Sequence, residues 1–60
     1  MKLARTIPVG GFTSVKVESS DRVTVQEAAR DLIQLLEPQV QRYPVLKHEI
    51  EDIKRSYNIP

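Results

Sequence analysis

Few side chains in this sequence have the types and spacing that catalysis or metal binding requires. His48 and Asp52 lie one helical turn apart and are able to share a metal ion, but two ligands do not make a site. Glu49, Glu51 and Asp52 lie beside lysine and arginine, which favours ion pairs over a role in general acid catalysis. The sequence contains neither a GxSxG serine motif nor a phosphate-binding glycine motif. We therefore expect no enzymatic activity, metal, cofactor or small-molecule substrate.

The N-terminal third carries side chains that suit nucleic acid. A two-stranded ribbon of a dimeric protein is able to enter the major groove of DNA and read base edges with alternating polar side chains. Hydroxyl and amine groups suit base edges, and further cations suit phosphates. The candidate contacts are Lys2, Arg5, Thr6, Ser14, Lys16 and Arg22. Glu18 and Asp21 at the same end, with a net charge of only +1, oppose this interpretation.

Length and composition indicate one small domain, residues 1–60. A chain of 60 residues buries little surface, so small domains commonly depend on a disulfide, a metal or a partner chain. The absence of cysteine excludes disulfides and gives no indication of secretion. The first residues lack the apolar core of a signal peptide, and no window approaches the roughly 20 apolar residues of a membrane span. We expect a soluble, cytoplasmic protein with no membrane partner, stabilised by a partner subunit.

Residues 2–18 predict a hairpin that turns at Gly10-Gly11. A two-residue loop would place the apolar residues of the two strands on opposite faces. An odd loop of three or five residues gathers them on one face, and we predict it. That face consists of Leu3, Ile7, Val9, Val15 and Val17. Arg5 is the charged exception on this face, and Pro8 indicates an edge strand because it lacks an amide hydrogen.

Two helices are predicted after the hairpin. Thr24 and Glu27 form a capping-box pattern, which predicts a first helix over 24–42, kinked at Pro38. An end of this helix near Leu36 is the alternative. Pro44 suits the first turn of a second helix over 44–57. The first helix carries an apolar arc of roughly 160°, whereas the second has a seam of about 60°.

This imbalance predicts a homodimer. The ribbon and the narrow second helix offer less apolar surface than the broad arc of the first helix requires, and an isolated two-stranded ribbon is only marginally stable. We therefore predict a small α+β protein of two strands and then two helices (ββαα) that pairs through the second helix or the ribbon edges. The expected interface with the second copy or another partner comprises Leu32, Leu36, Val40, Leu46, Ile50, Ile53 and Tyr57.

The sequence resembles two families. The combination of a strand, a dimer and two helices resembles ribbon-helix-helix repressors, which implies a dimeric DNA-reading ribbon, although this sequence has a second strand before its helices. The stretch VKVESSDRVTVQEAARDLIQLLEPQVQRYPVL is similar to the second strand and first helix of β-grasp sulfur carriers of the molybdopterin-synthase small-subunit kind. This second resemblance implies a ββα shape only, because the later strands and the sulfur-carrying Gly-Gly of those carriers are not found here.

Together these patterns predict a non-enzymatic, dimeric binding protein. The first interpretation is a transcriptional regulator that binds double-stranded DNA through the outer face of its ribbon. The alternative is a protein-interaction module that docks a partner through a strand edge or through the apolar seam of its second helix.

Overall fold

The computed structural model describes all 60 residues and has the predicted ββαα order. Strand β1 spans Ala4–Gly10 and strand β2 spans Thr13–Glu18. Helix α1 spans Val25–Leu36, a short 3₁₀ turn follows at Glu37–Gln39, and helix α2 spans Leu46–Ser56. The prediction of a small α+β fold with a hairpin before two helices is thereby confirmed. Neither helix has the length and apolarity that crossing a membrane would require.

Strands β1 and β2 form an antiparallel ribbon in the register that the odd loop predicts. Ile7 lies opposite Val15, and Arg5 lies opposite Val17. The loop itself is tighter than expected, because Gly10 pairs with Thr13 and the register shifts between Pro8 and Gly10. Val9 is therefore the extra residue of a bulge, which restores the apolar face above a short turn.

The two turn glycines have backbone angles that other residues rarely adopt. Gly10 has a φ of 148° and Gly11 a φ of 54°. Both lie in the region of positive φ where a Cβ atom is strained, which explains the use of glycine here. Phe12 follows them and is fully exposed at the tip of the hairpin.

Helix α1 begins at the predicted cap. The Thr24 hydroxyl oxygen accepts a hydrogen bond of 3.2 Å from the Glu27 backbone N–H, and the same hydroxyl donates to the Glu27 carboxylate at 3.0 Å. The N–H groups of the first helical turn have no carbonyl partner within the helix, and this hydrogen bond satisfies one of them. The Glu27 side chain thus binds the hydroxyl of Thr24, whereas a standard capping box binds the backbone amide of the cap residue.

Helix α1 ends at Leu36 and does not continue in α form to Arg42, so the shorter alternative is correct. Pro38 supplies no amide hydrogen and its ring disfavours a continued α-helix. The chain instead tightens into the 3₁₀ turn, where the Val40 N–H donates to the Glu37 carbonyl at 3.2 Å. Val40 still packs against the core from this turn, as its position on the apolar arc predicts.

Helix α2 begins two residues after Pro44, and a residue with a left-handed backbone follows two positions after its end. Asn58 has a φ of 54°, and the Ile59 N–H donates to the Lys54 carbonyl at 2.8 Å. This six-to-one bond across a left-handed residue is the Schellman motif. Ile59 is thereby directed back onto the core, against which it packs.

The core lies between the inner face of the ribbon and the two helices. It contains ten buried apolar residues drawn from all four main elements. Leu32, Leu36, Leu46 and Ile53 are the largest side chains that are fully buried. Since α1 contacts β2 while α2 contacts β1, each helix covers one strand of the ribbon.

Candidate binding surface

The outer face of the ribbon, which points away from both helices, carries three of the predicted nucleic-acid contacts. Thr6, Ser14 and Lys16 are all exposed, and Thr6 lies directly opposite Lys16. Lys2 lies at the same end as Glu18, and their charged groups approach to 3.6 Å. Glu18 therefore offsets part of the positive charge of Lys2, and Lys16 is the cation of this face without an ion-pair partner.

Arg5 lies on the inner face of the ribbon and serves the fold. Its guanidinium Nη1 donates to Glu49 Oε2 at 2.9 Å, which joins β1 to α2. Both side chains are about one-third exposed, at 33% and 28%. Arg5 is thus turned away from the outer face, and its predicted role as a phosphate contact has no geometric support.

Arg22 is held by Asp31 of α1. The Arg22 Nε and Nη2 groups donate to the two carboxylate oxygens of Asp31 at 2.8 and 2.9 Å, and the Ser20 amide donates to the same carboxylate at 3.2 Å. The guanidinium hydrogen bonds lower the pKa of the Asp31 carboxyl, with the Ser20 amide adding to the effect against partial desolvation. Asp31 in turn raises the pKa of Arg22. The network fastens the segment after β2 to helix α1.

The predicted interface residues belong to the core of the single chain. The side chains of Leu32, Leu36, Leu46, Ile50 and Ile53 are between 0% and 6% exposed, and Val40 and Tyr57 pack partly buried against them. The expectation that the first helix displays more apolar surface than one chain can cover is therefore wrong for Leu32 and Leu36. Leu35, which is 44% exposed, is the exception on α1. A partner must contact a different surface.

The free edge of β2 offers such a surface. The Ser19 N–H donates to the Leu3 carbonyl at 2.8 Å, which makes these two residues a hydrogen-bonded pair at the end of the ribbon. Hydrogen-bonded and non-hydrogen-bonded pairs alternate along antiparallel strands. The backbone N–H and C=O groups of Ser14, Lys16 and Glu18 therefore point outward. We call these groups the β2 edge.

No other segment of the chain forms backbone hydrogen bonds with the β2 edge. None of the hydrogen bonds made outside the ribbon ladder and the helices involves the backbone of these three residues. The next outward amide along the chain, that of Ser20, is already bound to Asp31. The β2 edge thus presents one short, unpaired stretch of three residues.

The opposite edge of the ribbon is less suited to pairing. The same alternation directs the backbone of Ala4, Thr6 and Pro8 outward from β1. Pro8 has no N–H to donate, which is a common way of blunting an exposed edge. The two edges of the ribbon are therefore unequal, and β2 is the better acceptor of an added strand.

A groove lies beside the β2 edge. It has a volume of about 480 Å³, opens widely to solvent and is bounded by the end of β2, the segment after it and one side of α1. Its lining residues are Glu18, Ser20, Arg22, Asp31, Gln34 and Leu35. Leu35 places apolar surface in the groove, which Glu18 at the end of the β2 edge also lines. The sequence pattern missed this role, because Leu35 falls within the apolar arc and only packing shows that it is left uncovered.

The remaining possibilities that the sequence raises are a metal-binding cluster and a role for His48. No three His, Cys, Asp or Glu side chains lie where they are able to hold a metal ion together. His48 is exposed on α2, as its position opposite the apolar seam predicts.

Comparison with protein families, with curated proteins and with solved structures finds no match to this chain.

Proposed function

We propose that this protein acts by binding and not by catalysis, and that it binds an extended polypeptide segment by strand addition at the β2 edge. The observation that carries the proposal is the unpaired backbone of Ser14, Lys16 and Glu18, a stretch that ends at Glu18 in a groove that Leu35 also lines. In strand addition, backbone hydrogen bonds supply affinity and neighbouring side chains supply specificity. The unpaired backbone groups of the β2 edge and the side chains that line the groove support this mode of binding.

The strand edge and the helix seam were the two docking modes predicted for a protein partner. Burial of Leu46, Ile50 and Ile53 in the core leaves the seam of α2 without free apolar surface. The edge remains open. This difference in burial supports docking through the ribbon.

Two proline variants test the proposal. Lys16→Pro removes an outward N–H without removing a bond within the ribbon, and proline is tolerated at such edge positions. Thr6→Pro makes the same change directly opposite, on the β1 edge, and is the matched control. The probes are linear peptides selected from a random library for binding to the wild-type chain. Their affinity for Lys16→Pro should be lower by at least about tenfold, whereas their affinity for Thr6→Pro should equal that for the wild type.

Lys16→Gln separates the backbone effect from the effect of charge, since it removes the cation and keeps the N–H group. We expect this variant to retain most of the peptide affinity. Equal binding of the selected peptides to the wild type and to Lys16→Pro, with both proteins folded, would contradict strand addition at β2.

A second candidate function is the binding of double-stranded DNA by the outer face of the ribbon. The exposure of Thr6, Ser14 and Lys16 on that face favours it, whereas the pairing of Lys2, Arg5 and Arg22 with carboxylates weakens it. DNA affinity would fall with rising salt, by a log-log slope of about 0.9 per phosphate contact. It would also be lost in Lys16→Glu without a change in melting temperature. Titration of a labelled duplex at several salt concentrations measures both effects.

A further inference from the structure

The β2 edge has a charge pattern that fits its own copy. Lys16 and Glu18 both point their side chains to the outer face, two residues apart, while Val17 between them lies on the inner face. A strand of this kind is self-complementary when it pairs antiparallel with itself. We infer that the strand added at the β2 edge is β2 of a second copy of this chain, so that two ribbons form one four-stranded sheet. This inference rests on the proposed function of the edge.

The outward backbone groups limit the number of possible registers. Only residues whose backbone points outward are able to form hydrogen-bonded pairs across the two-fold axis, and these are Ser14, Lys16 and Glu18. Pairing centred on Lys16 places two lysines opposite each other, and pairing centred on Glu18 places two glutamates opposite each other. Like charges directly across a strand pair are destabilising, which disfavours both registers.

The register centred on Val17 places opposite charges together. In it, Lys16 of each copy lies across from Glu18 of the other, which gives two cross-strand ion pairs on the outer face in addition to the exposed 3.6 Å contact of Glu18 with Lys2 of its own chain. The same two residue pairs form four backbone hydrogen bonds, since each hydrogen-bonded pair exchanges two. On the inner face, Val17 meets Val17 of the second copy at the two-fold axis, so apolar contacts continue beneath the new sheet.

The exposed side of α1 supports this occupant. Leu35 lines the groove beside β2 and is 44% exposed in the single chain. A second ribbon added at β2 extends the sheet over this side and brings a second α1 beneath it. Leu35 is then covered by the second copy. The association therefore gains apolar burial as well as hydrogen bonds, without using the core residues of either chain.

Charge exchange tests the inferred register. Lys16→Glu and Glu18→Lys each place like charges opposite each other, so each variant alone should dissociate about tenfold or more readily than the wild type. An equimolar mixture of the two restores attraction at both pairs and should form a heterodimer. Light scattering on a sizing column measures the mass, which for the wild type should be twice that of the 6.9 kDa chain.

The double variant K16E/E18K and a distant charge change serve as controls. The double variant keeps the wild-type composition and restores opposite charges across the axis, so it should dimerise like the wild type. If a single variant does not fold, the dimer of the double variant is compared with that of the wild type instead. Lys47→Glu, an exposed change in α2, should leave the dimer unaffected.

Two results would overturn the inference. A wild-type chain that stays monomeric at every concentration excludes the second copy as occupant, and a dimer that neither single variant weakens excludes this register. In either case the affinities of the selected peptides for Lys16→Pro and for Thr6→Pro are measured in a separate experiment. The inferred self-association and the proposed peptide binding at β2 are therefore tested separately, and either result is independent of the other.

Discussion

Most charged residues near the ribbon are engaged in pairs that hold elements together. Arg5 joins β1 to α2 through Glu49, and Arg22 joins the segment after β2 to α1 through Asp31. The sequence pattern identifies Arg5 as a charge on an apolar face, but it does not identify Glu49, which lies 44 positions away. A partner at such separation is set by how the helices pack, and neither spacing nor alternation contains that information.

The Asp31 network predicts a dependence of stability on pH. Hydrogen bonds from Arg22 lower the pKa of the folded-state carboxyl. A carboxyl group whose pKa is lower in the folded state stabilises the fold when the pH is above its unfolded-state pKa of about 3.9. This stabilisation is lost as the pH falls through the folded-state pKa. Between about pH 5 and pH 2, the urea midpoint of the wild type should therefore fall more steeply than that of Asp31→Asn.

The matched control for this prediction is Asp52→Asn. Asp52 lies on the exposed side of α2, 3.6 Å from Arg55. Exposed pairs contribute little to stability, so this variant should keep a midpoint near that of the wild type at neutral pH, where Asp31→Asn is already less stable. Parallel pH profiles for the wild type and Asp31→Asn would show that the Arg22 pair does not act as described.

At the scale of elements, local rules account for most of what forms. Alternation in the two strands predicts the register, and Thr24 predicts the start of α1. The bulge at Val9 could not be predicted from alternation alone, because a bulge and a three-residue loop place the same residues on the apolar face. The end of α1 at Leu36 was similarly undecided. Apolar spacing beyond Pro38 favoured a continued helix, but the backbone cost of proline is larger.

The end of α2 depends on a residue that the apolar pattern does not address. Asn58 has a left-handed backbone, which costs a residue with a Cβ atom roughly 1–2 kcal/mol, less for asparagine and nothing for glycine. Asn58→Ala should therefore lower the free energy of unfolding by about 1 kcal/mol, whereas Asn58→Gly should leave it equal or raise it. Chemical denaturation of both variants measures the difference. Equal loss in both would show that the side chain, and not the backbone angle, holds this end.

For the whole molecule, the sequence pattern predicts which side chains are buried better than it predicts which residues contact a partner. The apolar residues of both helices and of the inner ribbon face do form the core, as their periodicity predicts. Burial within the single chain opposes their assignment to an interface, because periodicity shows that a side chain is covered but not by which chain. Leu35 and the β2 edge are what this packing leaves open.

The unequal edges of the ribbon give the molecule one preferred side. Pro8 weakens β1 as a template, while the β2 edge keeps its outward N–H and C=O groups and has an apolar side chain beside it. A 60-residue domain has few apolar side chains to spare for a partner, because its small core needs most of them. Strand addition suits such a small domain, because it uses backbone groups that the fold leaves unpaired.

The most direct test of binding at β2 is amide hydrogen exchange, measured residue by residue in the dilute single chain and in the chain bound to another polypeptide. Binding should slow exchange of the Lys16 and Glu18 amides by at least about tenfold, because they become donors to the added strand. The Ala4 and Thr6 amides on the opposite edge should exchange as before. Protection of Ala4 and Thr6 with no change at Lys16 and Glu18 would contradict the account.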